Sequence, residues 1–270
     1  MIVFPNAKIN IGLNVIERRS DGFHNIQTVF YPIPLFDILE FIPNGKSETI
    51  FTNSGLIVDS IMEENLCIKA FRLLQKDFNL PEVQIHLHKI IPFGAGLGGG
   101  SSDAAFMLKS LNEYFRLQIS QKKLKQYALN LGSDCAFFVS NIPAFAEGRG
   151  EILSYIELTL ENKYLVLIKP DIHISTKLAY SGVIPTLPEI SLRKAILQPI
   201  NHWRNTIKND FELSVFKTCP ILDKIKHQLY DAGADYAAMS GSGSTIYGIF
   251  DNVVNLNQFK NAGFVWGQVL

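Results

Sequence analysis

The 270-residue sequence has few cysteines, no excess of either charge and no long apolar run, and each shortage excludes a class of protein. The number of cysteines is odd and they are widely spaced, at Cys67, Cys135 and Cys219. This pattern argues against a disulfide framework and against a zinc site made of cysteines. The 25 basic and 25 acidic residues cancel, so the basic excess typical of nucleic-acid-binding domains is lacking. Neither a signal peptide nor a run of roughly 18 apolar residues is evident, so we expect a cytoplasmic protein without nucleic-acid or membrane partners.

Strand-like and helix-like patterns are interspersed along the chain, which predicts an α+β fold in two lobes. A boundary near residue 153 gives predicted domains of 1–153 and 154–270. The apolar spacing predicts strands over 1–16, 25–42, 83–87, 164–168 and 245–250. It predicts helices over 64–78, from about Ser101, and over 121–131, 192–198, 221–232 and 255–262.

A glycine-rich turn between a predicted strand and a predicted helix is the most informative stretch. Five of the eleven residues from Pro92 to Ser102 are glycine. Glycine lets another group approach the backbone closely, and the following helix offers unpaired N–H groups and a positive dipole end. The turn is therefore suited to binding phosphate, with Ser101 and Ser102 available to cap the helix, bind phosphate or ligate Mg²⁺.

Three nucleotide-binding motifs can be compared with this turn. The P-loop pattern fails because Gly99 is followed by Gly100 where a lysine is required. The dinucleotide fingerprint matches formally at Gly94, Gly96 and Gly99, but it lies mid-chain and lacks an acid about 20 residues further on. The third motif is the glycine-rich loop of a kinase that lacks a P-loop.

A second glycine cluster lies just before a predicted strand. It runs from Met239 to Thr245 and contains Gly241, Ser242 and Gly243. Alone it is compatible with a flexible hairpin loop. Beside the first cluster it would form a second backbone clamp near bound phosphates.

Two charged residues are candidates for phosphoryl transfer, which needs a proton acceptor and cations against the phosphate charge. Lys8 lies in an otherwise uncharged strand, where a solvated edge position is the common alternative. Asp134 precedes an apolar run, where it could act as a helix N-cap or pair with a cation. His24 lies in a turn, and His86 and His88 share a strand face without a third ligand, so we interpret that pair as structural.

Together these motifs resemble the GHMP kinases, the family of galactokinase, homoserine kinase and mevalonate kinase. Within it they resemble the member that phosphorylates a cytidine-diphosphate methylerythritol in the non-mevalonate isoprenoid pathway. The resemblance is carried by Ala7–Asn10, Asp21–His24, Gln27-Thr28, Glu64–Leu66, Pro92–Ala105, Gly132–Asp134, Ala146–Gly150 and Ser240–Gly243.

The resemblance implies an N-terminal ribosomal-protein-S5-like ATP domain, a C-terminal α/β sandwich domain and a cleft between them. It implies ATP with Mg²⁺ as co-substrate, no prosthetic group, small-molecule substrates, and a monomer or weak homodimer. Asp134 would be the catalytic base and Lys8 its partner. ATP would contact Asn65, Pro92, Phe93, Gly94, Ala95, Gly96, Leu97, Gly98, Gly99, Gly100, Ser101 and Ser102. The second substrate would contact Asn10, Phe23, His24, Phe30, Thr176 and Tyr180.

Phe23 stands where the family commonly has tyrosine, so the stacking face is kept while the hydroxyl is lost. Three alternatives stay open: a relative with another alcohol acceptor, a nicotinamide-dependent oxidoreductase, and a non-catalytic nucleotide-binding module. The presence of both Lys8 and Asp134 argues against the last.

Overall fold

The computed structural model describes residues 1–57 and 61–270. The strands are β1 Ile2–Val3, β2 Asn6–Arg18, β3 His24–Phe36, β4 Ile38–Pro43, β5 Ile50–Gly55, β6 Val83–Lys89, β7 Ala144–Glu147, β8 Ile152–Tyr155, β9 Tyr164–Lys169, β10 Tyr236–Met239, β11 Ile246–Phe250 and β12 Phe264–Val269.

The α-helices come in runs between runs of strands, and the presence of both confirms the predicted α+β class. They are α1 Leu66–Phe78, α2 Gly99–Tyr114, α3 Gln121–Leu129, α4 Cys135–Ser140, α5 Thr176–Ser181, α6 Leu192–Ala195, α7 Ile200–Thr206, α8 Phe211–Thr218 and α9 Pro220–Asp231. None of the helices in 1–57 and 61–270 has the length and apolar character needed to span a bilayer.

The chain forms two compact units that interleave in sequence. The first unit contains 1–8, 35–93 and 98–142, and the second contains 9–34, 94–97 and 143–270. The predicted boundary near residue 153 stays a prediction, because this division is made by contacts and does not follow sequence order.

In the first unit, a sheet of order β1-β4-β6-β5 accompanies the helices α1 to α4. The β4–β6 pair is antiparallel, whereas β5 runs parallel to β6. Alternate residues of β6 are fully buried, including Val83, Ile85 and Leu87, because one face of the strand packs into the core.

In the second unit, β9, β10, β11 and β12 form an antiparallel sheet of order β10-β11-β9-β12. Its apolar face packs with α8 and α9 through Val166, Ile168, Val215, Ile225 and Leu229. A separate sheet has the order β2-β3-β7-β8, and its first two strands join at the turn that precedes His24.

Two predicted helices are wrong in extent. Residues 255–262 form only a short 3₁₀ helix, Leu256–Phe259, and the strand β12 comes after it. Gly263 has φ +101°, and a Cβ there would lie 2.5 Å from the Lys169 carbonyl oxygen, so the chain turns at this residue into pairing with β9. The predicted helix 192–198 ends at Ala195, and a new helix starts after Pro199.

Candidate functional site

Lys8 and Asp134 form an ion pair within the first unit. Lys8 Nζ lies 3.4 Å from Asp134 Oδ2, with the lysine side chain 3% exposed and the aspartate side chain 35% exposed. Burial lowers the pKa of Lys8, and the Asp134 carboxylate opposes that shift. Asp134 occupies the N-cap position of α4 without capping it through its side chain, so the carboxylate is directed to the lysine.

The start of α2 lies against this ion pair. Gly98 occupies the N-cap position of α2 with φ +70°, and a Cβ there would lie 3.1 Å from Lys8 Cε and 2.9 Å from the Phe138 ring. Glycine therefore allows the first turn of α2 to approach the lysine closely. The unpaired N–H groups and positive dipole end of the helix are thus brought beside Lys8 and Asp134.

The two serines after the glycines have different surroundings. Ser102 is fully buried, and its Oγ has no hydrogen-bond partner among the described residues. Ser101 is half-buried, and it partly offsets the rise in the pKa of the Cys135 thiol that burial causes. Neither serine caps α2, because Gly98 holds that position.

In the second unit, residues 94–97 pack against the second glycine cluster. Ser240 Oγ donates to the Gly96 carbonyl oxygen at 2.8 Å, and the Thr245 N–H donates to the Ala95 carbonyl oxygen at 3.3 Å. A Cβ at Gly96, where φ is +73°, would lie 1.9 Å from the Ser240 carbonyl oxygen. The close approach therefore depends on glycine, and the two clusters lie side by side in the second unit.

Asn10 connects β2 to the second glycine cluster, which packs against residues 94–97. Its backbone N–H donates to Ser240 Oγ at 3.1 Å, and its side-chain amide donates to Thr28 Oγ1 at 3.0 Å. Asn209 holds the other side of the loop by donating to the carbonyl oxygens of Met239 and Gly241 at 2.8 Å each. Sequence reasoning missed Asn209, because a single asparagine between two helices belongs to no motif.

The residues predicted to contact a cytosine base also lie in the second unit. His24 stacks on Tyr180 with ring centroids 4.7 Å apart and planes 20° apart. Phe23 is 54% exposed, Phe30 is buried in β3, and Thr176 lies exposed at the first residue of α5. The structure therefore brings His24 and Tyr180 together, although they are far apart in sequence.

Asn65 lines a small cavity of the first unit. Its side-chain oxygen accepts a hydrogen bond from the Cys67 N–H at 2.8 Å and so caps α1. The cavity has a volume of about 200 Å³, and Asn65, Leu66, Phe93, Gly100 and Asp103 are among the residues that line it.

A buried charge cluster next to this cavity was missed by the sequence reasoning. Lys89 Nζ donates to the carboxylates of Asp37 and Asp103, with a distance of 2.9 Å to Asp103 Oδ2. Asp37 also accepts the N–H groups of Ile90 and Ile91, at 2.6 and 2.8 Å. These two residues immediately precede the glycine-rich turn, so the cluster fixes the backbone from which the turn begins. The sequence feature that could have indicated this cluster is a lysine at the end of a buried strand.

His86 and His88 hydrogen-bond to the hydroxyls of Thr52 and Ser54, at distances of 2.8 to 3.0 Å. Within residues 1–57 and 61–270, no group of three or more His, Cys, Asp or Glu side chains is arranged to hold a metal ion. The structural interpretation of the histidine pair agrees with these contacts.

Comparison with known proteins decides the family. A model of the GHMP kinases N terminal domain matches residues 65–148, and a model of the GHMP kinases C terminal domain matches residues 192–262. A relative from Bacteroides fragilis is 53% identical over 252 residues, which cover 93% of this chain and 92% of the relative. The chain belongs to the GHMP kinase family.

Other GHMP kinases have similar sequences and structures. The Bacteroides fragilis relative and one from Cytophaga hutchinsonii, 49% identical over 93% of both chains, are both named 4-diphosphocytidyl-2-C-methyl-D-erythritol kinase. A crystal structure of 4-(cytidine 5'-diphospho)-2C-methyl-D-erythritol kinase has a TM-score of 0.83 at 29% identity, covering 99% of this chain and 98% of that one. The mevalonate kinase of Methanococcus jannaschii shares the GHMP fold, with a TM-score of 0.73 at 14% identity over 100% and 98% of the two chains.

Proposed function

We infer that the chain is an ATP-dependent kinase that phosphorylates the 2-hydroxyl of 4-(cytidine 5'-diphospho)-2-C-methyl-D-erythritol, in the non-mevalonate route to isopentenyl diphosphate. The observation that carries the chemistry is the Lys8–Asp134 pair beside the first turn of α2. The names of relatives that align over nine-tenths of both chains support the substrate.

Asp134 is proposed as the general base. Its carboxylate accepts the proton of the attacking hydroxyl, and the ammonium of Lys8 holds both the carboxylate and the hydroxyl oxygen in place. Phosphoryl transfer needs little covalent work from the protein, so positioning and electrostatic stabilisation supply most of the rate. The partial exposure of Asp134 leaves room for an alcohol next to a buried cation.

The glycine-rich turn fits the phosphates of ATP. A Cβ at Gly96 or Gly98 would meet neighbouring atoms at 1.9 to 3.1 Å, so only glycine lets the backbone take this course. The backbone N–H groups at the start of α2 would bind the phosphate oxygens. Mg²⁺ would enter with ATP and neutralise charge on its phosphates, with the Ser101 hydroxyl as a candidate contact. Asn65 would lie near the adenine.

The second substrate is proposed to bind through its base. His24 would read the edge of the cytosine, while Phe23 and Tyr180 supply aromatic faces. Asn10, Phe30 and Thr176 are proposed as further contacts of this substrate.

Asp134→Asn tests the catalytic assignment. We expect turnover to be abolished while ATP still binds, because the amide cannot accept the proton and the glycine-rich turn is unchanged. ADP release and ATP binding are measured for this variant and for Asp223→Asn, an exposed control aspartate paired with His227. Full activity of Asp134→Asn would contradict the assignment.

A panel of alcohols tests the substrate. We expect ADP release with the cytidylyl substrate and not with homoserine or mevalonate. Transfer to one of the other alcohols would assign a different member of the family, and ATP binding without transfer to any alcohol would indicate a non-catalytic module.

A further inference from the structure

Phe23 lies at the surface of the second unit, in a turn whose backbone is held on both sides. Asp21 Oδ1 accepts the Phe23 N–H at 3.1 Å, and the Arg19 N–H donates to the Phe23 carbonyl oxygen at 2.8 Å. The Arg19 guanidinium in turn donates to the Asp21 carboxylate at 2.9 Å. The backbone of Phe23 is therefore fixed, while the residue is 54% exposed, so the protein covers only part of it.

The hairpin between β7 and β8 supplies part of that cover. It carries Arg149 between two glycines with positive φ, Gly148 at +70° and Gly150 at +103°. The Gly148 carbonyl oxygen accepts the Ile26 N–H at 2.7 Å, which ties the hairpin to the start of β3. The Arg149 N–H donates to Glu151 Oε2 at 2.5 Å.

The side chain of Arg149 covers one face of the Phe23 ring. Its guanidinium carbon lies 4.8 Å from the ring centroid, and Nε lies 4.0 Å from Glu151 Oε1. A planar cation on an aromatic face is attracted by the ring quadrupole and restricts the rotation of the ring. Phe23 is half exposed despite this contact, so a further planar group can still stack on its ring.

We propose that Arg149 is a positioning residue for the pyrimidine base of the substrate. It holds the Phe23 ring in the orientation in which the base stacks on the uncovered face. This proposal rests on the proposed function for the identity of the base. A ring that is already oriented loses less conformational entropy when the base binds, so the contribution falls on binding and not on the chemical step.

Steady-state kinetics separate this role from a general loss of structure. We expect Arg149→Ala to raise KM for the cytidylyl substrate about twofold to fivefold, the range given by an exposed cation–π contact. The values of kcat, KM for ATP and the melting temperature should change little. Arg149→Lys keeps the positive charge but lacks the planar guanidinium group, so its KM for the cytidylyl substrate should lie between those of the wild type and Arg149→Ala. Arg204→Ala is the matched control, because that guanidinium covers the Tyr230 ring at 4.0 Å and has no role in the proposed site.

A double-variant comparison tests whether Arg149 acts through Phe23. Phe23→Ala should raise KM for the cytidylyl substrate strongly, and adding Arg149→Ala should raise it no further. Additive effects of the two substitutions would overturn the proposal, as would a lower KM in Arg149→Ala, which would mean that the arginine occupies the face taken by the base.

Binding of cytidine diphosphate, measured by calorimetry, distinguishes failure of this proposal from failure of the proposed function. Weaker binding to Arg149→Ala than to the wild type supports the positioning role even if no phosphoryl transfer is detected. Unchanged binding and unchanged KM in an active enzyme would overturn the positioning role and leave the kinase assignment intact.

Discussion

Replacement of Lys89 by methionine should destabilise the protein strongly. The side chains of Lys89, Asp37 and Asp103 are 1%, 0% and 4% exposed, so the substitution leaves the buried acidic side chains of Asp37 and Asp103 without the cation that both of them contact. Removing one partner of a buried ion pair destabilises proteins by about 3–5 kcal/mol. For a chain of this size, about 2 °C of melting temperature is lost per kcal/mol, so we expect a decrease of about 6–10 °C.

The assay is thermal unfolding at neutral pH, followed by circular dichroism. Lys163→Met is the matched control, because Lys163 also pairs with two aspartates, Asp235 and Asp251, but at a partly exposed position. Solvent screens that cluster, so its loss should leave the melting temperature nearly unchanged. Equal shifts in the two variants, or a shift below about 2 °C in Lys89→Met, would refute the reasoning from burial.

The same cluster has a functional consequence. Asp37 accepts hydrogen bonds from the N–H groups of Ile90 and Ile91, which immediately precede the glycine-rich turn. Lys89 also lies close to that turn, because a Cβ at Gly99 would be 2.8 Å from Lys89 Nζ. Loss of the lysine should therefore also raise KM for ATP, measured under conditions in which the variant is folded. An unchanged KM for ATP would show that the cluster acts on stability alone.

Burial and backbone geometry support three more predictions. Burial raises the pKa of Asp103 from 3.8 to about 7, with a further contribution from the like charge of Asp37 and in opposition to the charge of Lys89. The folded chain therefore retains a proton on Asp103 that the unfolded chain releases above about pH 4. This group therefore makes stability fall as the pH rises from about 4 to 7, and Asp103→Asn should remove that part of the dependence in urea titrations. Gly96→Ala should lower the melting temperature and ATP affinity, because its Cβ would collide with the Ser240 carbonyl oxygen, whereas Gly100→Ala meets only Leu66 at 3.6 Å and should melt like the wild type. Burial raises the pKa of the Cys67 thiol well above its usual value and that of Cys135 to about 11, so mass spectrometry after iodoacetamide treatment at pH 8 should find both unmodified in the folded protein.

Elements with a sustained apolar period or strong end signals can be predicted from the sequence. The apolar stripe over 64–78 predicts a helix that is present as α1, and the alternation over 83–87 predicts a strand that is present as β6. The prediction for 255–262 is wrong because its apolar spacing covers barely two turns, while pairing with β9 decides the conformation after Gly263. Tertiary contacts of this kind have no signature within a short window.

Within the candidate site, the limits of prediction have a similar cause. Lys8 and Asp134 are candidates from their surroundings and from family resemblance, and their ion pair is consistent with that proposal. Arg149 lies within a motif of the resemblance but at its variable position, so only the contact of its guanidinium with Phe23 singles it out. The pairing of Lys89 with Asp37 and Asp103 depends on three segments converging, which a linear pattern does not reveal.

The interleaving of the two units bears on the order in which the chain folds during synthesis. Every segment of the first unit has been translated once residue 142 is made, so this unit can complete its core on the ribosome. In the second unit, β3 gains β7 as a partner only after residues 144–146 are made, and β9 gains its last partner only with β12. A nascent chain stalled before residue 264 would therefore expose the edge of a central strand, and an unpaired strand edge is a site of aggregation.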